Sequence, residues 1–268
     1  MEFRKLGKSG LQVSAIAFGA GPIAGLMVGG TAAAQEIAVS RALELGINWF
    51  DTAATYGQGE SERSLGAVLR KCADGRRFQV ATEVRLQSED LHDIAGAVRR
   101  SVQESLQRLG VERVQLLQLH NSVTEKRGDL PTSVTVEDVL GHGGIVDAFR
   151  QLQAERVVEH FGFTALGDMN SLRQLIHSGH FTAAQVPLSL LTFVSGTDQS
   201  AGSIDVDYAA LASECAANGV GVIAIRVFAG GALALQEPSP YTHVTKFFTL
   251  DLYQRDRQRA ERLAAVLP

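Results

Sequence analysis

Short runs of β-branched and aromatic residues alternate along the chain with longer stretches whose apolar positions recur at three- and four-residue steps. Phe3–Leu6 and Leu11–Val13 flank Gly7-Lys8-Ser9-Gly10, which predicts a hairpin with a glycine-rich turn. Ala15–Phe18 reads as a first buried strand. Ala34, Ile37, Ala38, Ala42 and Leu45 mark a helix between a capping Thr31 and a terminating Gly46. Further strands are predicted at Ile47–Phe50, Phe78–Val84, Val114–Leu119, Val157–Phe163, Ala183–Leu188 and Val220–Val227. Helices fill the gaps at Glu60–Cys72, at Leu91–Leu109 before Gly110, and at about residues 142–155, 168–178 and 206–218. A last helical pattern runs from about Leu250 to Val266.

This alternation implies parallel strands joined by right-handed crossovers, with the helices outside the sheet. No linker splits the chain, so one domain over residues 1–268 is expected. Seven strands precede the final helix and no eighth is legible, which would leave two open sheet edges. An open edge of that kind invites a second copy, so a homo-oligomer is an expected possibility.

Composition narrows the function classes. Apolar residues make up 45% of the chain and charged residues 20%, which favours a buried core over disorder. The net charge of −4 carries no basic stripe, so nucleic acid is not an expected partner. The charged start Met1-Glu2-Phe3-Arg4-Lys5 lacks the apolar core of a signal peptide, and no apolar run approaches membrane-spanning length. A cytoplasmic protein without membrane association is therefore expected. The cysteines Cys72 and Cys215 show no paired spacing and read as buried free thiols. His177 and His180 have no neighbouring carboxylate in sequence, and no metal site is expected. Gly19-Ala20-Gly21-Pro22-Ile23-Ala24 resembles a dinucleotide fingerprint only superficially: Pro22 interrupts the turn and no acid follows at the required spacing. It reads better as a rim loop.

Chemistry concentrates where strands end. Ile47-Asn48-Trp49-Phe50 runs into Asp51, and Tyr56 follows five residues later. His120 ends Leu116-Leu117-Gln118-Leu119. In parallel α/β folds the carboxyl ends of the strands form the active-site rim, so an acid, a phenol and an imidazole are expected at one mouth.

These segments resemble the aldo-keto reductase family. The likeness is carried by Asp51-Thr52-Ala53 to Tyr56-Gly57, then Ser61-Glu62, Leu65-Gly66 and Leu69. It continues through Ser105-Leu106 to Gly110, Leu117 to Asn121, Gly162-Phe163-Thr164, Gln185, and Gly221–Arg226 with Gly230-Gly231. The resemblance implies a (β/α)8 TIM-type barrel with an N-terminal hairpin, here incomplete at strand eight. It implies NADPH-dependent reduction of an aldehyde or ketone, with a small molecule as substrate. Tyr56 would protonate the carbonyl oxygen, His120 would orient it and Asp51 would support both. Cofactor contacts are implied for Gly19, Ala20, Asn121, Thr164, Gln185, Arg226, Gly230 and Gly231.

Three departures qualify this. The family has a lysine after the threonine of the third strand, paired with the aspartate; Val80-Ala81-Thr82-Glu83-Val84-Arg85 places Glu83 there. A neighbouring cation eases proton loss from a phenol, and a carboxylate opposes it. Asp51 and Glu83, if close, are expected to share a proton. Arg85, on the same strand face as Glu83, either supplies the missing positive charge or simply neutralises Glu83. No aromatic follows Gln185 until Phe193, where the family has a shelf under the nicotinamide. The family's strand eight and adenosine-phosphate helix are not found before residue 268, which is expected to weaken NADPH binding. A non-redox acid–base enzyme (lyase, isomerase or cyclase) with Glu83 among its catalytic groups, or a binding protein on the same scaffold, are the alternatives.

Overall fold

The computed structural model describes residues 1–191, 207–238 and 249–265. β1 (Phe3–Lys5) and β2 (Gln12–Ser14) pair antiparallel around a 3-10 turn at Gly7–Ser9, the predicted hairpin shifted by about one residue. Gly7 has φ +49, and a Cβ there would stand 2.3 Å from the Gly221 nitrogen. Glycine alone lets this turn seat itself against the main sheet.

Seven parallel strands form that sheet in sequence order: β3 (Phe18–Gly19), β4 (Trp49–Asp51), β5 (Gln79–Val84), β6 (Val114–Leu119), β7 (Val158–Thr164), β8 (Ala183–Pro187) and β9 (Gly221–Ile225). Four strand steps separate β4 from β8, about 19 Å in a flat sheet. Gln185 of β8 nevertheless reaches Asp51 of β4 at 3.0 Å. The sheet is therefore curled into a half-barrel. β3 and β9 are its edges, and no eighth strand pairs with either among the described residues.

The first strand differs from expectation. Ala15–Phe18 was predicted to be buried, but pairing is confined to Phe18 and Gly19, and Ile16 is 62% exposed. An edge strand is held from one side only, so it stays ordered only as far as β4 offers partners.

Helices α1 (Leu26–Gly29), α2 (Ala32–Glu44), α3 (Glu60–Cys72), α4 (Ile94–Leu109), α5 (Val136–Leu140), α6 (Ile145–Ala154), α7 (Met169–His177), α8 (Tyr208–Ala217) and α9 (Leu250–Ala264) occupy the connections. Thr31 caps α2 by accepting from Ala34 N, and Gly110 ends α4 in the left-handed conformation, both as predicted. The short helices α1 and α5 have too few residues to show a period and were not predicted. α3 and α4 meet backbone to backbone: a Cβ on Gly66 would stand 2.2 Å from the Leu109 carbonyl oxygen.

Side-chain parity along the strands builds the site. Trp49, Ala81, Leu116 and Ala183 point inward and close over Leu6 of the hairpin, making an apolar floor at the amino ends of the strands. Two residues further along the same four strands stand Asp51, Glu83, Gln118 and Gln185, all buried. A polar layer thus lies directly above a dry floor, at the carboxyl ends. Outside the sheet, Val39, Leu65, Leu69, Val98, Phe149 and Leu172 belong to the main apolar core beneath the helices.

A buried ion pair ties this frame together. Glu62 of α3 is 0% exposed; it accepts from Thr82 Oγ1 of β5 at 2.5 Å and from Arg108 Nε of α4 at 2.6 Å. Cys215 is buried, and burial pushes its thiol up to about 11; Cys72 is half-buried. No helix among the described residues is long and apolar enough to cross a membrane. Removing Arg108 leaves the Glu62 carboxylate buried without its cation. Arg108→Met is expected to cost about 3 kcal/mol in urea unfolding. A loss below about 1 kcal/mol would show that the pair does not hold α3 and α4 to the sheet.

Candidate active site

Asp51, Tyr56, Glu83 and His120 meet at the carboxyl ends of β4, β5 and β6. Asp51 is the last residue of β4, and Tyr56 sits in the turn before α3. That turn is fixed from below: Ser61 Oγ donates to Ala20 O at 2.8 Å and lies 2.9 Å from Thr52 Oγ1. Gly21 faces the Tyr56 ring, with its Cβ direction 3.8 Å from the ring edge. His120 follows β6 directly, and its ring packs edge-on against Tyr56 with centroids 5.8 Å apart.

Glu83 is the hub. His120 Nδ1 stands 2.9 Å from Glu83 Oε2, Gln185 Nε2 donates to Oε1 at 3.0 Å, and Tyr56 Oη donates to Oε1 at 3.4 Å. Thr164 Oγ1 lies 3.4 Å from Oε2. Asp51 is served less well. Gln185 Nε2 lies 3.1 and 3.0 Å from its two oxygens, and Gln118 Nε2 lies 3.5 Å away. One amide nitrogen therefore bridges both carboxyls.

The difference in donors decides where the charge rests. Burial drives the Asp51 carboxyl well above its usual range, the neighbouring Glu83 charge adds to this, and the Gln185 and Gln118 amides offset it only in part. Burial also raises Glu83, but the His120 imidazole, Gln185 and Arg85 outweigh it and hold Glu83 below its usual range. The pair thus carries one proton, on Asp51, and one charge, on Glu83. Gln118 points the same way. Its Oε1 is buried without a hydrogen-bond donor, and a half-turn of the amide would let it accept from a protonated Asp51.

Tyr56 is correspondingly hard to ionise: burial, then Glu83, then Asp51 raise its phenol well above 10, and Arg85 offsets this weakly. Arg85 acts on Glu83 through its charge, as its strand position suggested, rather than through a short contact. Its Nη2 donates to the His120 carbonyl oxygen at 3.0 Å, and the ion-pair partner of Glu83 is His120.

The residues assigned to cofactor contacts divide into groups. Gln185 spends its Nε2 on Asp51 and Glu83, while its Oε1 lies 3.2 Å from Thr164 Oγ1. Asn121 is fully buried and clamps two rim loops, bonding Leu86 N and O and the Thr132 carbonyl oxygen at 2.9, 2.8 and 2.6 Å. Thr132 is thereby held at φ +56, a strained angle for a β-branched residue. Gly19 pairs with Asp51 in the sheet, and Ala20 N donates to the Asp51 carbonyl oxygen at 2.8 Å. Arg226, Gly230 and Gly231 form a separate cluster after β9. Both glycines have positive φ, 71° and 106°, and the Gly230 Cβ direction lies 3.7 Å from the Arg226 guanidinium. Phe193 lies outside the described residues. No group of three potential metal ligands occurs among the described residues.

Gln118 was not singled out from the sequence. Its signal was present: a polar residue inside an apolar strand, two positions after an inward-facing leucine. Thr55, whose Oγ1 lies 3.4 Å from His120 Nδ1, gave no such signal.

Comparison with known proteins agrees on family and fold. A model of the Aldo/keto reductase family matches residues 15–266. L-galactose dehydrogenase from Arabidopsis thaliana is 41% identical over 123 residues, which cover 45% of this chain and span 38% of that protein's length. The holo form of an aldo-keto reductase from Bacillus halodurans superposes with a TM-score of 0.67 at 23% identity, covering 100% of this chain and 78% of that one. An aldo-keto reductase from Klebsiella pneumoniae in complex with NADPH gives 0.59 at 21% identity, covering 88% and 70%. At such identities the structural likeness is one of fold. The curled sheet is thus the (β/α)8 type, seen here as seven strands.

The single proton has a consequence for stability. A carboxyl raised on folding contributes fully below its unfolded range near pH 4, and that contribution is lost as pH rises towards the folded value. Asparagine mimics the protonated acid without titrating. Asp51→Asn is therefore expected to be more stable than the parent at about pH 7 by on the order of 1–3 kcal/mol. The gain should vanish towards about pH 4, where the parent is protonated in both states. The Glu83 contribution runs the other way, falling as pH falls, and cancels between the two proteins. Chemical denaturation across pH checks this, and a difference independent of pH would contradict it.

Proposed function

The chain belongs to the aldo/keto reductase family, and from that premise we propose that it is an oxidoreductase of small hydroxy-aldehydes or the corresponding alcohols, using NADP(H). One observation carries the reading: Tyr56 and His120 stand side by side over buried carboxyls at the strand ends, 5.8 Å between rings. A carbonyl oxygen placed between them meets a phenol O–H and an imidazole. The polyhydroxy class rests on the plant relative, which is named for L-galactose.

The described residues fit the cofactor at one end. The positive-φ turn at Gly230 and the Arg226 guanidinium after β9 carry chemistry suited to phosphate oxygens, while the Gly231 N–H is committed to the Phe228 carbonyl oxygen at 2.9 Å. The amides of Asn121 and Gln185 are committed to bonds within the protein, so Thr164 is left as the polar contact nearest the reacting end. When bound, a nicotinamide nucleotide supplies or accepts the hydride. The chain's own residues handle the oxygen. Tyr56 stays protonated across the neutral range, because burial and the Glu83 charge resist its ionisation. It donates its hydrogen to the substrate oxygen as charge develops there. His120, anchored through Nδ1, fixes the direction from which that oxygen is approached.

Titration with NADPH, followed by quenching of Trp49 and by nucleotide fluorescence, tests binding; oxidation of NADPH with aldehydes tests turnover. Micromolar binding and measurable reduction are expected. Tyr56→Phe should then lower kcat by about 10²–10⁴-fold with little change in KM. Absence of binding at millimolar nucleotide would overturn the oxidoreductase reading.

A further inference from the structure

We propose that the His120–Glu83 dyad gives this protein a second, nucleotide-independent activity: enolisation of small α-hydroxy aldehydes and ketones, with exchange or transfer of the proton next to the carbonyl. The inference shares with the oxidoreductase reading only the premise that the mouth admits small hydroxy-carbonyl compounds.

The geometry is that of an oriented base. His120 Nδ1 is taken up by Glu83 Oε2 at 2.9 Å, with Thr55 Oγ1 also 3.4 Å away. This bond places the neutral ring's proton on Nδ1 and leaves a lone pair on Nε2. Nε2 makes no bond among the described residues, and the side chain is 13% exposed at the rim. The carboxylate behind it is 0% exposed and cannot be screened by water. The carboxylate thus holds the ring in one orientation through Nδ1, as in other carboxylate–histidine catalytic pairs. Glu83 itself is held by the Gln185 amide at 3.0 Å, and the longer 3.4 Å bond from Tyr56 is given up when that hydroxyl turns to a substrate oxygen.

The sign of the charge at position 83 decides which chemistry this favours. A cation beside Tyr56 would help the phenol lose its proton and would oppose a proton on His120. A carboxylate does the reverse on both counts. The buried Asp51 keeps its own proton, so Glu83 is the single negative charge behind the ring.

In the proposed step, His120 Nε2 removes the proton from the carbon next to the carbonyl. The C–H electron pair becomes a C=C bond, and the carbonyl π pair moves to oxygen. Tyr56 O–H donates a hydrogen bond to that oxygen, and its phenol remains protonated. The enediolate then regains a proton from the imidazolium, either at the original carbon or, once the proton of the neighbouring hydroxyl has passed to the former carbonyl oxygen, at the former carbonyl carbon. Return to the first exchanges the hydrogen with solvent; return to the second interconverts aldose and ketose. No electrons leave the substrate and no co-reactant is needed. His120 is the catalytic residue, and Glu83 is a positioning residue acting through it.

The test uses the full chain without nucleotide, glyceraldehyde as probe, and D2O as solvent. Proton NMR follows loss of the C2 hydrogen and appearance of dihydroxyacetone. Exchange well above the buffer rate is expected. His120→Gln should reduce it by about 10²–10⁴-fold. Glu83→Gln should lower the rate at saturation by a similar factor with KM within about threefold, a split that a merely structural role would not give. Glu83→Lys should abolish exchange while raising NADPH-dependent reduction. Exchange at the buffer rate in the parent overturns the proposal, and so does exchange unchanged in folded His120→Gln or Glu83→Gln. If a variant fails to fold, the parent rate alone still decides. NADPH oxidation without exchange overturns this inference alone; exchange without NADPH binding overturns only the oxidoreductase reading.

Discussion

A single side-chain amide between two buried carboxyls governs the rest of the site. Gln185 Nε2 lies within 3.1 Å of both Asp51 oxygens and at 3.0 Å from Glu83. Two ionised carboxylates sharing one neutral donor in a dry interior would be held apart only by distance they do not have. One must keep a proton. Glu83 has His120 beside it and additional donors from Tyr56 and Thr164, so Asp51 keeps it. From this follow a resistance of Tyr56 to ionisation beyond what its burial imposes and the anchoring of His120 by a full negative charge.

The fold makes this arrangement unavoidable. Strand parity lifts Asp51, Glu83, Gln118 and Gln185 to one level, and the hairpin closes the floor below with Leu6 against Trp49, Ala81, Leu116 and Ala183. Water cannot reach the layer from beneath. The family scaffold places a lysine where Glu83 stands, and a cation there would satisfy Asp51 directly. With an acid there instead, the carboxylate takes His120 Nδ1 at 2.9 Å, and the Arg85 charge also favours its ionised form. The residue at position 83 therefore sets how protons are distributed in this layer.

Much of this was legible in the sequence. Period-two and period-three-to-four patterns place most strands and long helices within a few residues, because those elements bury one continuous face. Asp51, Tyr56 and His120 stood out because chemistry at strand ends is read off topology. That Asp51 and Glu83, if close, would share a proton was expected from the family resemblance, which puts Glu83 where a lysine pairs with the aspartate. What was not legible depended on partners distant in sequence. Arg85 sends its Nη2 to the His120 carbonyl, Asn121 is consumed in clamping two loops, and Gln185 reaches across four strands of curl. Ile16 lies on an exposed edge because nothing pairs beyond β3 among the described residues, a fact no local pattern encodes. Only curvature brings residues 51, 83 and 185 to one point, and curvature is a property of the whole sheet.

Carbon-13 NMR of protein labelled at its aspartate and glutamate carboxyls reads the proton directly, with Asp51 assigned by its loss in Asp51→Asn and Glu83 by its loss in Glu83→Gln. From about pH 5 to about pH 6, above ordinary carboxyl values, the Asp51 signal should stay at the position of a neutral acid and the Glu83 signal at that of a carboxylate. Two carboxylate signals over that range, or a neutral Glu83 beside an ionised Asp51, would contradict the arrangement of charge on which the site has been built.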